Sequence, residues 1–369
     1  MLVQLALKGL LAALIPLLIV WTARDSNKYR KLVWVTAFLT FDLIMFGAFT
    51  RLTDSGLGCP DWPGCYGYAN PFQAIEHIRA AEALMPDGPV TVMKAWIEMI
   101  HRYFAMGVGV LIIAIMTIAW RNWFRTQRQD ARYAPGFPTF LLFFVCVQGA
   151  FGAWTVTMKL QPVIVTIHLL LGMGLLAALV WLGARQNDYP PVVAARSLRP
   201  LAAAGLAVLF IQIGLGGWVS TNYAALACLD YPLCNGQFIP DMDFEHGFSL
   251  WRELGKTRGG EYLPFPALVA IHWVHRMFAI VVLAVLLALA LHARRVAELR
   301  RLANLLMLAI GIQFLTGMAT IFLKWPLALA VIHNGGAAVL VVLLTVLNYR
   351  ARLAVPAEAQ PGTTRLSPA

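Results

Sequence analysis

The chain reads as an all-α polytopic membrane protein, built as two pseudo-symmetric parallel four-helix bundles plus one extra N-terminal transmembrane helix. Three observations predict this. Apolar residues make up 60% of the chain and charged ones 13%, with a mean hydropathy of +0.69, outside the range of soluble globules. Nine stretches approach the roughly 20 apolar residues that a bilayer core demands of a helix. A pattern of four such stretches is written twice.

The stretches lie near residues 2–22, 33–50, 96–120, 138–158, 162–184, 200–220, 267–291, 302–322 and 326–348. The first has a short charged start and no small-residue cleavage site, so it reads as a retained helix rather than a signal peptide. It belongs to neither repeat, and the unit 1–32 is therefore an added peripheral helix with its following loop. Residues 33–185 form the first four-helix unit and 200–349 the second, joined by a linker over 186–199 that carries prolines and arginines. The end, 350–369, rich in proline and threonine, reads as a disordered cytoplasmic tail.

The formal charge of +11 is a topology signal, not a nucleic-acid footprint. Arg24, Lys28, Arg30 and Lys31 fall in one loop; Arg121, Arg125, Arg128 and Arg132 fall two spans later. Arg185, Arg196 and Arg199 follow, then Arg294, Arg295, Arg300 and Arg301, then Arg350 and Arg352. These are alternate loops on one side, which the positive-inside rule makes cytoplasmic. The other, periplasmic side carries two long loops, about 51–95 and 221–266, and two tight turns near Lys159 and Lys324. The expected location is a bacterial inner membrane.

The repeat is detailed. Gly47–Gly67 aligns without a gap on Gly216–Gly236, matching Cys59 to Cys228, Asp61 to Asp230, Pro63 to Pro232 and Cys65 to Cys234. Ile-Glu-Met-Ile-His-Arg-Tyr-Phe-Ala at 97–105 matches Ile-His-Trp-Val-His-Arg-Met-Phe-Ala at 271–279. Gln148 and His168 are spaced as Gln313 and His333 are, with Gly152/Gly317 and Lys159/Lys324 in register between them. Four spans per copy is an even number, so both copies enter the membrane in the same sense. The polar segment Asp241–Tyr262 has no counterpart and is expected to cap the periplasmic face of the second unit.

An oxidising periplasm favours Cys59–Cys65 and Cys228–Cys234 as local disulfides. A metal site is the alternative, but neither loop shows a companion histidine at ligand spacing. Cys146, inside a span, reads as a small buried packing residue. His77, His246 and His292 fall in loops or at a span end and carry no assigned role; Trp154, Trp181 and Trp325 read as interface belts or pocket packing.

Ionisable groups within spans are costly and mark function by default. His101 and His168 in the first unit, and His275 and His333 in the second, lie at similar depth on different helices. One isolated histidine reads best as a packed, hydrogen-bonded side chain. Two matched pairs preserved through a duplication read instead as axial ligands to two hemes. Apolar surroundings without thiolate or second carboxylate favour heme over a bare ion. Arg102 and Arg276 follow the first histidine of each pair and suit either a heme propionate or the lipid headgroups. Glu98 lies one helical turn from His101 and is a candidate proton acceptor or donor; the alternative is a carboxylate paired with Lys94 or Arg102. His272 stands in its place in the second unit. The first unit thus looks built for chemistry and the second for cofactor holding or electron transfer.

Thr50-Arg51-Leu52-Thr53-Asp54-Ser55-Gly56-Leu57, then Cys59-Pro60-Asp61-Trp62-Pro63 and Cys65, resembles the first periplasmic loop of the heme A synthase family. So do Glu98-x-x-His101-Arg102, the His168 and His333 segments and the loop from Cys228 to Gly236, over nearly all of Gly47 to Tyr349. The resemblance implies an eight-helix pseudo-duplicated enzyme that oxidises the C8 methyl of heme O to a formyl group, through a hydroxylated intermediate, giving heme A for cytochrome oxidase. It implies that His275 and His333 ligate a heme b cofactor, that His101 and His168 flank the substrate heme, and that Glu98 takes part in the oxidation. Heme O, membrane lipid, heme O synthase and cytochrome oxidase assembly factors are the implied partners; nucleic acid is not among them, and a homo-oligomer is compatible. The ninth span departs from the family pattern. The competing readings are a two-heme b-type electron carrier and a heme transport or delivery protein.

Overall fold

A computed structural model describes residues 1–24, 27–193 and 198–355. Arg196 and most of the expected cytoplasmic tail lie outside them. The helices are α1 (Leu2–Thr22), α2 (Lys28–Leu52), α3 (Ile75–Leu84), α4 (Val92–Arg125), α5 (Gly136–Thr157) and α6 (Pro162–Arg185). They continue as α7 (Leu198–Thr221), α8 (Phe244–Gly247), α9 (Phe265–Arg294), α10 (Arg300–Phe322) and α11 (Leu327–Arg352). Among the described residues, all but α3 and α8 are long and apolar enough to cross a membrane. The chain is an all-α, multi-spanning membrane protein.

Several helices outrun the apolar stretch that announces them. α4 has 34 residues, about 50 Å of rise, against a hydrocarbon core of about 30 Å. Its last turns, through Trp120 and Arg125, continue as helix beyond the apolar window because nothing there breaks it before Thr126. α2 begins early because the Asn27 side chain accepts from Arg30 N at 2.9 Å, capping the first turn.

The helices share two ends. One carries the arginines; the other carries the cysteine loops and two matched tight turns. In those turns Lys159 and Leu160, and again Lys324 and Trp325, take consecutive left-handed conformations. Pro162 then opens α6, and Pro326 stands just before α11 as its N-cap.

α2, α4, α5 and α6 pack in a ring, as do α7, α9, α10 and α11. α6 also packs on α7 and α11, and α11 on α2. Small residues bring these backbones close: Gly217 on α7 faces Leu169 and Thr166 of α6, and Gly335 on α11 faces Met45 of α2. At the cysteine end, Arg51 Nη2 donates to Ser220 O at 2.5 Å, and Tyr223 Oη donates to Asp54 at 2.6 Å. The Arg51 guanidinium also lies over the Tyr223 ring, 4.3 Å from its centroid. Near the arginine end, Val192–Val193 pairs in parallel with Ala354–Val355.

α1 lies against α4 and α2. Its buried stripe is Leu5, Gly9, Ala13, Pro16 and Val20, a spacing of three to four that aligns one face. Gly9 meets Met106, and Gly107 of α4 meets Ala12. The helix starts at the cysteine end, where the Met1 side chain reaches Gly64.

The main apolar core runs through both rings and is densest toward the arginine end, with Leu32, Leu111, Ile115, Leu179, Leu289 and Leu344 fully buried. The four histidines lie on the other side of this layer, about 9 to 15 Å of helix rise from the cysteine-end starts of their helices. One expectation is corrected: Cys146 is exposed. α5 packs chiefly on α4 and α6, which leaves its outer face, and Cys146 with it, exposed.

Candidate functional site

Each site histidine is held against a glycine of the neighbouring helix. A Cβ added to Gly47 would meet His101 Cε1 at 3.1 Å, and one on Gly152 would meet His168 Cε1 at 3.1 Å. In the second ring Gly216 stands against His275 and Gly317 against His333, each at 3.0 Å to Cε1. The glycines matched in the sequence are thus the surfaces on which the imidazoles rest. His275 and His333 line one cavity, so the structure brings that pair together; His101 and His168 stand on α4 and α6 of the other ring.

A cavity opens between α7, α9, α10 and α11, lined by His275 and His333 with Gln212, Gln313, Arg276 and Trp325. Gln212 Nε2 is 3.2 Å from His275 Nδ1 and donates to His275 O at 3.1 Å. Thr316 Oγ1 is 3.0 Å from His333 Nδ1 and donates to Gln313 O at 3.0 Å. In the first ring Gln148 donates to His168 O at 3.1 Å, and Phe46 lies beside His101, ring centroids 6.0 Å apart.

The cysteine loops form lids that are near copies. Cys59–Cys65 and Cys228–Cys234 are disulfides. Asp61 accepts from the backbone N–H of Tyr66 and Gly67 at 2.6 and 2.7 Å; Asp230 accepts from Asn235 and Gly236 at 2.5 and 2.9 Å. Both turns need two consecutive positive φ angles, 51° and 77° in one, 53° and 80° in the other. That requirement explains the glycine at 67 and 236. The Asp230 carboxyl lies below the ordinary carboxylate range, chiefly through the Gly236 N–H, with Asn235 adding to it.

Arg102 and Arg276 fasten these lids to their helices. Arg102 Nη1 donates to Asp61 O at 2.9 Å and Gly64 O at 2.6 Å. Arg276 Nη2 donates to Asp230 O at 2.7 Å and Leu233 O at 2.9 Å. Neither role was visible in the sequence, although the co-repetition of arginine and loop is a signal for it. Glu98 is buried at 4% exposure. One carboxylate oxygen accepts from Cys59 N at 2.8 Å and the other pairs with Arg102. Of the two partners weighed for it, Lys94 instead donates to Gly88 O. His272 repeats half of this: its Nδ1 accepts from Cys228 N at 3.2 Å. A neutral imidazole offers only one acceptor nitrogen, and Arg276 Nε and Nη1 are correspondingly buried without a hydrogen-bond partner among the described residues.

The insert 241–262 packs over the start of α9 through α8, and Trp218 Nε1 donates to Gly247 O at 2.9 Å. It covers the cysteine end of the second ring, as expected. Trp181 packs edge-on to Tyr349, centroids 5.2 Å apart, while Trp154 is exposed.

Fold and site together define a multi-spanning helical membrane protein with two half-buried, matched histidine pairs beneath disulfide-closed lids. Residues 30–345 match the COX15-CtaA family, described as cytochrome oxidase assembly protein, and the chain belongs to that family. Similar proteins include the heme A synthase of Shewanella oneidensis, 38% identical over 325 residues covering 86% of this chain and 96% of that one. The heme A synthase of Caulobacter vibrioides is 29% identical over 353 residues, covering 89% and 98%. That of Caulobacter sp. strain K31 is 30% identical over 342 residues, covering 87% and 95%.

Proposed function

We propose that this protein is a heme A synthase, which oxidises the C8 methyl group of heme O to a formyl group. The carrying observation is the twofold set of glycine-backed histidine pairs, with Glu98 of the first copy standing where His272 stands in the second. The two rings are read as pseudo-symmetric parallel bundles: 33–185 takes the substrate and 200–349 holds a cofactor, with 186–199 as linker. The cysteine lids are periplasmic, and the arginine end faces the cytoplasm of a bacterial inner membrane.

Heme b suits the second pair. Two imidazoles face a largely apolar cavity, and Arg276 has two spare N–H groups beside it for a propionate. No cluster of three His, Cys, Asp or Glu able to hold a bare ion occurs among the described residues, and a two-donor set suits iron already held in a macrocycle. His275 and His333 would hold it, and the group would supply one-electron exchange.

His101 and His168 position heme O with its methyl edge toward Glu98. The conversion replaces two methyl hydrogens by one oxygen atom, a four-electron oxidation whose electrons must pass to an external acceptor, and it runs through an alcohol and a hydrated aldehyde. Glu98 takes a proton from the attacking oxygen nucleophile or stabilises positive charge developing on the methyl carbon. Arg102 holds the carboxylate in place, and the Cys59 lid shuts the cysteine end above it. Heme O synthase as supplier and oxidase assembly factors as recipients follow from this reading.

The test is chromatography of hemes extracted from wild type and Glu98→Ala, each expressed with a source of heme O. Heme A or its hydroxylated precursor in the wild type, with heme O accumulating in the variant, supports the proposal. Heme b alone in both overturns it in favour of a two-heme electron carrier.

A further inference from the structure

Two charged side chains within the spans reach the outer surface without a counter-ion. Asp42 lies on α2, ten residues before Leu52, and is exposed. Lys8 on α1 is half-buried, its Nζ 5.0 Å from the centroid of the Tyr103 ring on α4. Neither has an ion-pair partner among the described residues. An ionised group inside a span is costly unless paired, so each demands a partner. The bundle itself does not require Asp42. By the register of the repeat the same position on α7 is Ile211, which also points outward at 54% exposure.

The two charges lie at nearly one depth. Gly47, on the same helix as Asp42, rests against His101. Asp42 is five residues further from the cysteine end, about 7.5 Å of rise. On α4, Tyr103 and Met106 lie about 3 and 7.5 Å beyond His101; Lys8 covers Tyr103, and Gly9 meets Met106. The charges also stand on opposite flanks of α1. The groove holding Lys8 runs between α1 and α4, with Leu11, Ile100 and Phe104. Asp42 belongs to α2, the other helix on which α1 packs.

We propose that the outer face of α1 is an interface between two copies of this chain, in which Lys8 of each copy pairs with Asp42 of the other. A two-fold axis along the membrane normal leaves depth unchanged and exchanges left for right. Residues at one depth on opposite flanks of α1 are thereby set opposite each other, twice. Opposite charges at those positions make the contact attractive, and both ionised groups leave the lipid together. The surface between them fits the same occupant. Leu7, Leu11, Leu14 and Leu18 are all exposed, and their alternating spacing of four and three is the seam along which a helix packs on a parallel copy of itself. The two-fold axis makes the paired α1 helices parallel. This interface goes beyond the reaction proposed above and does not depend on it.

The experiment co-expresses two full-length forms, one of them tagged, and recovers the tagged form in native-lipid nanodiscs, where its partners are counted by native mass spectrometry. Wild type is expected as a two-chain particle. Asp42→Lys sets two cations against each other across the interface, and Lys8→Asp sets two anions. Each is expected to weaken self-association at least tenfold. Tagged Asp42→Lys with untagged Lys8→Asp restores opposite charges at both contacts. These two are expected to co-purify, although neither recovers an untagged copy of itself, and that rescue shows that both forms fold. Asp42→Ile installs the residue that α7 carries at the matched position, and it too is expected to weaken self-association. Single chains in the wild-type nanodiscs overturn the inference. So does wild-type self-association in either charge reversal or in Asp42→Ile.

Discussion

Gly317→Ala isolates what the glycine cradles do. The added methyl carbon would lie 3.0 Å from His333 Cε1, where carbon atoms prefer about 3.5–4.0 Å. The ring must therefore yield by roughly 0.5–1 Å, beyond the tolerance of about 0.2 Å that a metal–ligand bond allows. It cannot slide freely, because Thr316 holds Nδ1 at 3.0 Å. Elsewhere in a helix the same substitution is favourable by about 0.5–1 kcal/mol. Gly311, on the same helix α10, supplies the control, since a Cβ there meets nothing within 4 Å. Gly311→Ala is expected to keep wild-type heme b and a thermal midpoint at or above wild type. Gly317→Ala is expected to lose at least tenfold in heme affinity, read as the pyridine-hemochrome ratio to protein, while its helical circular dichroism is unchanged. Equal heme content in the two variants would refute the reasoning, because the contact would then not position the ligand.

Glu98→His installs the second-ring residue. It is expected to keep an acceptor for Cys59 N–H, and with it the folded lid, yet to accumulate heme O; normal heme A output from this variant would remove Glu98 from the chemistry. Replacing Cys59 and Cys65 together by serine is expected to cost about 2 kcal/mol from the opened short loop, read as a lower thermal midpoint in detergent, and an unchanged midpoint would contradict it. Asp230 gives a pH dependence outside the membrane. Its folded pKa is depressed, first by Gly236 N–H, so its contribution is complete above the unfolded value near 3.9. It is lost as pH falls through the lower folded value. Hydrogen exchange at Asn235 and Gly236, corrected for intrinsic rates, should lose protection over that range in wild type, and Asp230→Asn should abolish the pH dependence.

Much of this was legible because membrane spans and internal repeats leave long-range signals. Apolar length announces each span, and register alone pairs Gly152 with Gly317 and His168 with His333. The ends of helices were less visible, since α4 runs past its apolar window on residues that are merely good helix formers. Cys146 was misplaced because apolarity does not distinguish a core-facing from a lipid-facing position. The lid contacts of Arg102 and Arg276 were hidden because carbonyl acceptors leave no trace in residue identity.

The junction at the cysteine end has a consequence of its own. By the register of the repeat, Arg51 corresponds to Ser220 and Asp54 to Tyr223, and these corresponding residues are the ones that touch. Two copies of the second half would oppose tyrosine to tyrosine with no guanidinium or carboxylate to meet them. The stacking of Arg51 on Tyr223 and the Tyr223–Asp54 hydrogen bond therefore exist only where the two unlike copies meet.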